Sequence, residues 1–197
     1  MKIVFASNNI HKLNEIKSMV GSDYEALSLA DIDINVDIPE EEPDLEGNAL
    51  SKARFINKLT GMNVFADDTG LEVEALDGLP GVKSARFAGE GNDSNANIDL
   101  LLSMLGDNSN RKARFRTVFA LIYNNAEYIM EGIVDGIIIN ERRGEKGFGY
   151  DPVFIPVGET KTFAEMDLAE KNMISHRARA LEKLCATLRQ LNQYNNK

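Results

Sequence analysis

Cysteine, histidine and surplus basic charge are all scarce in this chain. One cysteine, Cys185, cannot close an internal disulfide, which fits a reducing compartment and reads as a buried helix residue. Two histidines, His11 and His176, are too few beside one cysteine for a structural zinc site. Any metal is therefore expected to be hard and held by oxygen, as Mg²⁺ is. With 22 Lys and Arg against 31 Asp and Glu, the net charge of -9 argues against long DNA or RNA as a partner. A small polyphosphate stays compatible if a divalent cation and a few local basic residues neutralise it. No apolar run approaches the roughly eighteen residues of a membrane span, and the run Lys2 to Ala6 is too short for a signal peptide. The expectation is a cytoplasmic protein with no membrane partner.

What is present is the composition of a globular domain. Hydrophobic residues make up 43% and charged residues 27% of 197, enough for one domain, in two lobes at most, with a substantial core. Neither an internal repeat nor a low-complexity segment interrupts residues 1–197, and only the polar tail 192–197 reads as frayed.

Lys2 to Ala6 predicts a strand, Ser7-Asn8-Asn9 a break, and Ile10, Leu13, Ile16 and Val20 a helix capped by Asn9 or Asn8 and stopped at Gly21. Such a helix start offers backbone N–H groups and a positive dipole end, and Lys12 stands in its first turn. A phosphate site and a plain cap with a solvated lysine are both open readings. Tyr24 to Leu29 predicts a second strand, followed by polar and apolar alternation over Asp31 to Ile38. The acidic run Glu40-Glu41-Glu42, with Asp44 and Glu46, precedes a helix over Leu45 to Leu59 capped by Asp44. One carboxylate of that loop can complete an oxygen metal site begun elsewhere.

The stretch from Val64 to Gly89 is where chemistry is expected. Val64-Phe65-Ala66 reads as the end of a buried strand that carries Asp67 and Asp68 to a rim, where α/β sheets place their ligands. Alternation lets one carboxylate face a ligand while its neighbour ties down the backbone, and does not itself say which. With the rest of the chain considered, Asp68 is assigned to metal and water and Asp67 to bracing the turn. Gly70 is expected to permit a turn, and Gly78, Pro80 and Gly81 a second one. An Asp-rich turn without chemistry is the competing reading.

Downstream, Ile98, Leu101, Leu102 and Leu105 predict a helix ended by Gly106. Arg111 to Tyr123 and Glu127 to Ile139 predict two long antiparallel strands joined at Asn124-Asn125, the first with a basic face of Lys112, Arg114 and Arg116 that is solvated or turned to a subunit. The sheet must then be mixed. In Gly144 to Pro152, three glycines let backbone lie against a flat ligand, Phe148 and Tyr150 offer ring faces, and Asp151 an acceptor; a plain hairpin with aromatic plugs reads the same. Ser175 is expected to cap a final helix carrying Ala178, Leu181, Leu184, Cys185 and Leu188 inward. His176 and Arg177 at its start are two cations facing a positive dipole end, which calls for an anionic or carbonyl ligand.

Taken together, SNNIHK at 7–12, ADDTGLEVEALDGLPGVKSARFAG at 66–89, GFGYDPVF at 147–154 and AEKNMISHRARAL at 169–181 resemble the inosine triphosphate pyrophosphatase family, in that family's order. The resemblance implies an α/β fold: an elongated mixed β-sheet flanked by helices, two lobes with a central cleft, and a homodimer. It implies Mg²⁺-assisted hydrolysis of ITP, dITP or XTP to the monophosphate and pyrophosphate. Ser7, Asn8, Asn9, Ile10, His11 and Lys12 would hold the triphosphate. Asp68 would be the general base and a metal carboxylate, Glu40 the other metal carboxylate, and Thr69 a substrate contact. Phe148, Gly149, Tyr150, Asp151, Lys171, His176 and Arg177 would line the nucleoside pocket. The family usually has Glu before the Asn at position 48, whereas here Gly47 stands there and Glu46 one earlier. A related pyrophosphatase for modified pyrimidine triphosphates and a nucleotide sensor without turnover are the alternatives.

Overall fold

The computed structural model describes residues 2–19, 24–36 and 38–195. The expected helix residue Val20 and stop at Gly21 lie outside them. In chain order the elements are β1 (Lys2–Phe5), α1 (Ile10–Met19), β2 (Glu25–Leu27), α2 (Leu45–Thr60), β3 (Val64–Val73), β4 (Pro80–Gly81), α3 (Ser94–Leu105), β5 (Lys112–Tyr123), β6 (Ala126–Ile138), β7 (Phe154–Pro156), α4 (Leu168–Ile174) and α5 (His176–Asn195). The strand order is β2-β1-β3-β5-β6-β7, with β4 beside β3. Parallel pairs β1–β2 and β1–β3 coexist with antiparallel β3–β4 and β6–β7, so the sheet of this α/β fold is mixed, as expected. No helix among the described residues is long and apolar enough to cross a membrane.

The chain divides into two compact units. The first comprises residues 1–68, 117–132 and 177–197. Its apolar β-branched strand β1 is buried at Ile3, Val4 and Phe5 and pairs Val4 with Val64 and Phe5 with Phe65. The rings of Phe5 and Phe65 stack at 4.9 Å, and Leu13, Ile16, Leu181, Leu184 and Leu188 from α1 and α5 close over them. Cys185 is buried in the same cluster, as its place on the apolar helix face implies. Asn124 and Asn125 both adopt positive φ, the geometry that a two-residue hairpin turn demands.

The second unit comprises residues 69–116 and 133–176. Leu71, Ile98, Leu101, Phe115, Phe154 and Phe163 form its core. Asp93 caps α3 by accepting from the Asn95 and Ala96 N–H groups, and Gly106 ends it. The basic side chains of β5 are met within this unit: Arg114 Nε lies 2.6 Å from Glu72, and Lys112 lies 4.0 Å from Glu74.

Four local details refine these expectations. Asp31 to Ile38 forms no strand among its described residues. Ala30–Ile32 is a 3₁₀ turn, because Asp31 accepts from the Ser28 N–H at 2.8 Å and Ser28 Oγ accepts from the Asp31 N–H. At Gly70 β3 does not turn but continues to Val73. A β-carbon there would lie 2.5 Å from the Gly81 carbonyl oxygen, so close strand approach, not chain reversal, requires the glycine. Ser175 ends α4, donating its N–H to the Lys171 carbonyl, and with extended backbone it also stands immediately before the first residue of α5, where the cap is expected. Finally, α5 continues past Leu191 to Asn195, and residues 196–197 lie outside the described set.

Candidate functional site

In the first unit, the turn after β1 delivers Ser7, Asn8 and Asn9 to the start of α1. Asn9 Oδ1 accepts from the N–H groups of His11 and Lys12 at 3.0 and 3.2 Å, so the expected cap is present and occupies two of the amides offered to a phosphate. Ser7 Oγ accepts from the Asn9 N–H, and Asn8 Nδ2 donates to the Val36 carbonyl. Ile10 and His11 are exposed. Lys12 reaches back to β3, where its Nζ lies 3.1 Å from Asp67 Oδ1, with 14% of the side chain still open to solvent.

Asp67 and Asp68 are interior residues of β3, both buried. Asp67 lies inside the strand and not at a turn. It is the counter-ion of Lys12 and of Arg177, whose Nε lies 3.5 Å from Asp67 Oδ2. Arg177 also donates through Nη1 to Glu15 on α1. Of the two cations expected at the α5 start, Arg177 is met by two carboxylates of the protein. Burial opposes ionisation of Asp67, yet Lys12, Arg177 and Lys52 outweigh it and hold its carboxyl at about 2. Lys12 is pulled below the ordinary lysine range by burial, with Asp67 opposing.

Asp68 turns to α2. Asn48 Nδ2 donates to its Oδ2 at 3.0 Å, and Lys52 Nζ lies 3.6 Å from its Oδ1. The same ammonium donates to Glu40 Oε1 at 2.6 Å. Burial pushes the Asp68 carboxyl up, Glu40 adds to the rise, and Lys52, Lys12 and Asn48 oppose without cancelling it. Burial pulls Lys52 down, but Asp68, Glu40 and Asp67 leave it raised. Glu40 and Asp68 are therefore brought to one nitrogen. No group of three or more His, Cys, Asp or Glu side chains forms a metal site among the described residues.

Lys52 and Glu15 escape a reading of the sequence. A lysine among Ala49, Ala53 and Ile56 on the buried face of α2 is the signal for the first, since lysine is almost never fully buried unless paired. Glu15, beside Ile16 on α1, is buried by the same logic.

In the second unit, the Gly144 to Pro152 loop is organised by Asp151. Its Oδ2 accepts from the Phe148 N–H at 2.9 Å and from Lys171 Nζ at 2.7 Å, and a β-carbon on Gly147 would collide with that carboxylate. Gly149, half-buried, has positive φ. Lys171 Nζ stands 5.0 Å from the Phe148 ring centroid, a cation–π distance. Tyr150 is not a ring face for a ligand: it belongs to the core, and its hydroxyl donates to the Ser84 carbonyl at 2.9 Å. His176 stacks on Phe115 at 4.6 Å with 14° between the rings. Thr69, half-buried, opens this unit's part of β3.

Residues 3–187 match the sequence model of the Ham1 family. Over 184 residues the chain is 53% identical to a dITP/XTP pyrophosphatase of Porphyromonas gingivalis, covering 93% of this chain and 95% of that one. It is 50% identical to the dITP/XTP pyrophosphatase of Flavobacterium psychrophilum, covering 93% and 97%. Among solved structures, the Ham1 protein of Staphylococcus aureus superposes with a TM-score of 0.87 at 38% identity, covering 96% of this chain and 99% of that one. A HAM1 protein of Coxiella burnetii gives 0.88 at 39%, with the same coverage.

Proposed function

The chain belongs to the Ham1 family, and from that premise we propose that it is a nucleoside triphosphate pyrophosphatase acting on the non-standard purine nucleotides dITP, XTP and ITP. The observation that carries the chemistry is the convergence of Asp68 and Glu40 on Lys52. Asp68 and Glu40 are the oxygen donors that Mg²⁺ takes, which binds through one or two carboxylates and draws its remaining oxygens from water and substrate phosphates. A divalent cation bound there would neutralise phosphate charge and acidify a water.

The protein's own groups supply the rest. Lys12, partly open at the start of α1, meets the triphosphate together with the Ser7 to His11 turn. Asp68 takes the proton of the attacking water as the α–β anhydride bond breaks and pyrophosphate leaves. A carboxyl raised above its ordinary range is a better proton acceptor than an ordinary aspartate at neutral pH. Phosphoryl chemistry asks mainly for such positioning and charge stabilisation. Thr69 contacts the substrate.

For the nucleoside, Phe148 offers a ring, and Lys171 is a donor held in place by Asp151. A buried donor donates to the 6-keto oxygen of hypoxanthine or xanthine and leaves the 6-amino group of adenine facing another donor. His176, stacked on Phe115, is read as a further wall of the nucleoside pocket, with Arg177 next to it in sequence. Membership also carries the expectation of a homodimer, which sedimentation measures, and of a place in the cytoplasmic nucleotide pool.

The test is turnover with Mg²⁺ and separate pools of ITP, XTP, dITP, ATP and GTP, with pyrophosphate and orthophosphate assayed side by side. Pyrophosphate from the first three, and little from ATP or GTP, is expected. Orthophosphate alone, or equal rates on ATP, overturns the reading. A panel of modified pyrimidine triphosphates and a calorimetric titration without turnover separate the two alternatives.

A further inference from the structure

We propose that Asn48 is a positioning residue that holds the Asp68 carboxylate and the loop carrying Glu40 against each other; this rests on the reading of Asp68 as the base. Asn48 lies at the end of the first turn of α2, 1% exposed, on the face otherwise occupied by Leu45, Ala49, Ala53 and Ile56. Both ends of its amide are used. Nδ2 donates to Asp68 Oδ2 at 3.0 Å, and Oδ1 accepts from the Glu42 backbone N–H at 3.0 Å. The partners force the orientation of the amide, because an ionised carboxylate only accepts and a backbone N–H only donates. One rigid plane therefore sets the spacing between β3 and the acidic loop.

The sequence around it is built to admit this bridge. A β-carbon at Gly47 would stand 2.9 Å from Glu42 Cβ and force one of the two to shift, so the bare glycine lets the loop fold this closely onto the first turn of α2. Asp44 then accepts from the Gly47 N–H at 2.7 Å and anchors the loop's other end. Glu40, two residues before the pinned Glu42 amide, is delivered to Lys52 and so to the ammonium that also faces Asp68. Asparagine is a poor helix former with a costly side chain to bury, so an apolar residue would serve this face better were packing its only task. Reaction geometry is sensitive to displacements of about 1 Å, which gives such a bridge a kinetic consequence.

Two variants separate the halves of the bridge. Asn48→Asp keeps the acceptor for Glu42 and replaces the donor to Asp68 by a second carboxylate; Asn48→Leu removes both. At saturating ITP and Mg²⁺, each is expected to lower kcat by about 10- to 100-fold with KM changed by less than about threefold. Hydrogen exchange of the Glu42 amide, measured without metal or nucleotide, should stay slow in Asn48→Asp and quicken by about tenfold or more in Asn48→Leu. If Asp68→Asn abolishes turnover while Asn48→Asp, or Asn48→Leu shown folded by its melting transition, stays within about twofold of wild type, the proposal falls and the base assignment stands. An unchanged Glu42 exchange rate in folded Asn48→Leu also overturns it. Should Asn48→Leu fail to fold, the near-isosteric Asn48→Asp decides alone. Full turnover in Asp68→Asn removes the base and this proposal together.

Discussion

Asp67 and Asp68 are consecutive in β3, yet Asp67 faces Lys12 of α1 and Arg177 of α5 while Asp68 faces Asn48 and Lys52 of α2. The period of the strand separates two carboxylates into different electrostatic surroundings, one held well ionised and one pushed up. Substitutions at the two positions should therefore fail in different ways.

Asp68→Asn is expected to keep the fold and lower kcat by about two to four orders of magnitude, the usual contribution of a general base. Asp67→Asn takes from Lys12 its carboxylate and leaves Arg177 with Glu15, and should cost about 3 kcal/mol of stability. Steady-state kinetics beside urea denaturation of both variants distinguishes the two effects. Near wild-type turnover in Asp68→Asn removes it from the proton-accepting role.

The depressed carboxyl of Asp67 makes a pH prediction. Its unfolded value is the ordinary 3.8 and its folded value about 2, so the unfolded chain takes up the proton first as the solution is acidified. The contribution is complete above about pH 4 and is lost as pH falls toward 2, amounting to roughly 2 kcal/mol. Denaturation midpoints from pH 5 down to 2 should fall further for wild type than for Asp67→Asn, by about that difference. Parallel pH profiles would contradict it.

These charges mark the boundary of what the sequence discloses. Strand β1, the Asn9 cap of α1, the Asp44 cap of α2 and the Asn124-Asn125 hairpin follow from local rules, because a cap or a tight turn involves residues a few positions apart. Lys52, Glu15 and the burial of Tyr150 do not. Each depends on partners 12 to 162 residues away: Lys52 on Glu40 at a separation of 12 and on Asp68, Tyr150 on Ser84 at 66, and Glu15 on Arg177 at 162. Even the short separation between Lys52 and Asp68 is invisible without the pairing of β1 with β3. The end expected for β3 at Ala66 was misplaced for a related reason: Asp is rare in strands, and only its buried ion pairs make it tolerable there.

Lys171 and Asp151 form a buried pair whose loss should be separable from its function. Lys171→Met strands the Asp151 carboxylate and is expected to destabilise the protein by about 3 kcal/mol, whereas Lys171→Met with Asp151→Asn should recover much of that. Neither variant should retain wild-type preference for ITP over ATP. A double variant with unimpaired preference would exclude Lys171 from reading the base.

Gly70→Ala should destabilise by about 2 kcal/mol, because its β-carbon meets the Gly81 carbonyl oxygen at 2.5 Å with backbone on both sides of the contact. Thermal unfolding measures this directly. Since Gly70 follows Thr69, a variant rescued at low temperature should also show a raised KM. An unaltered melting temperature would mean that β4 is free to move away.

The contact between Gly47 and Glu42 reaches beyond one molecule. Because any β-carbon at 47 stands 2.9 Å from Glu42 Cβ, the two positions are not free to drift independently during descent. A lineage that acquires a larger residue before the asparagine must first lose bulk at position 42 or reroute the acidic loop, so the order of such changes is constrained by sterics before selection on turnover acts.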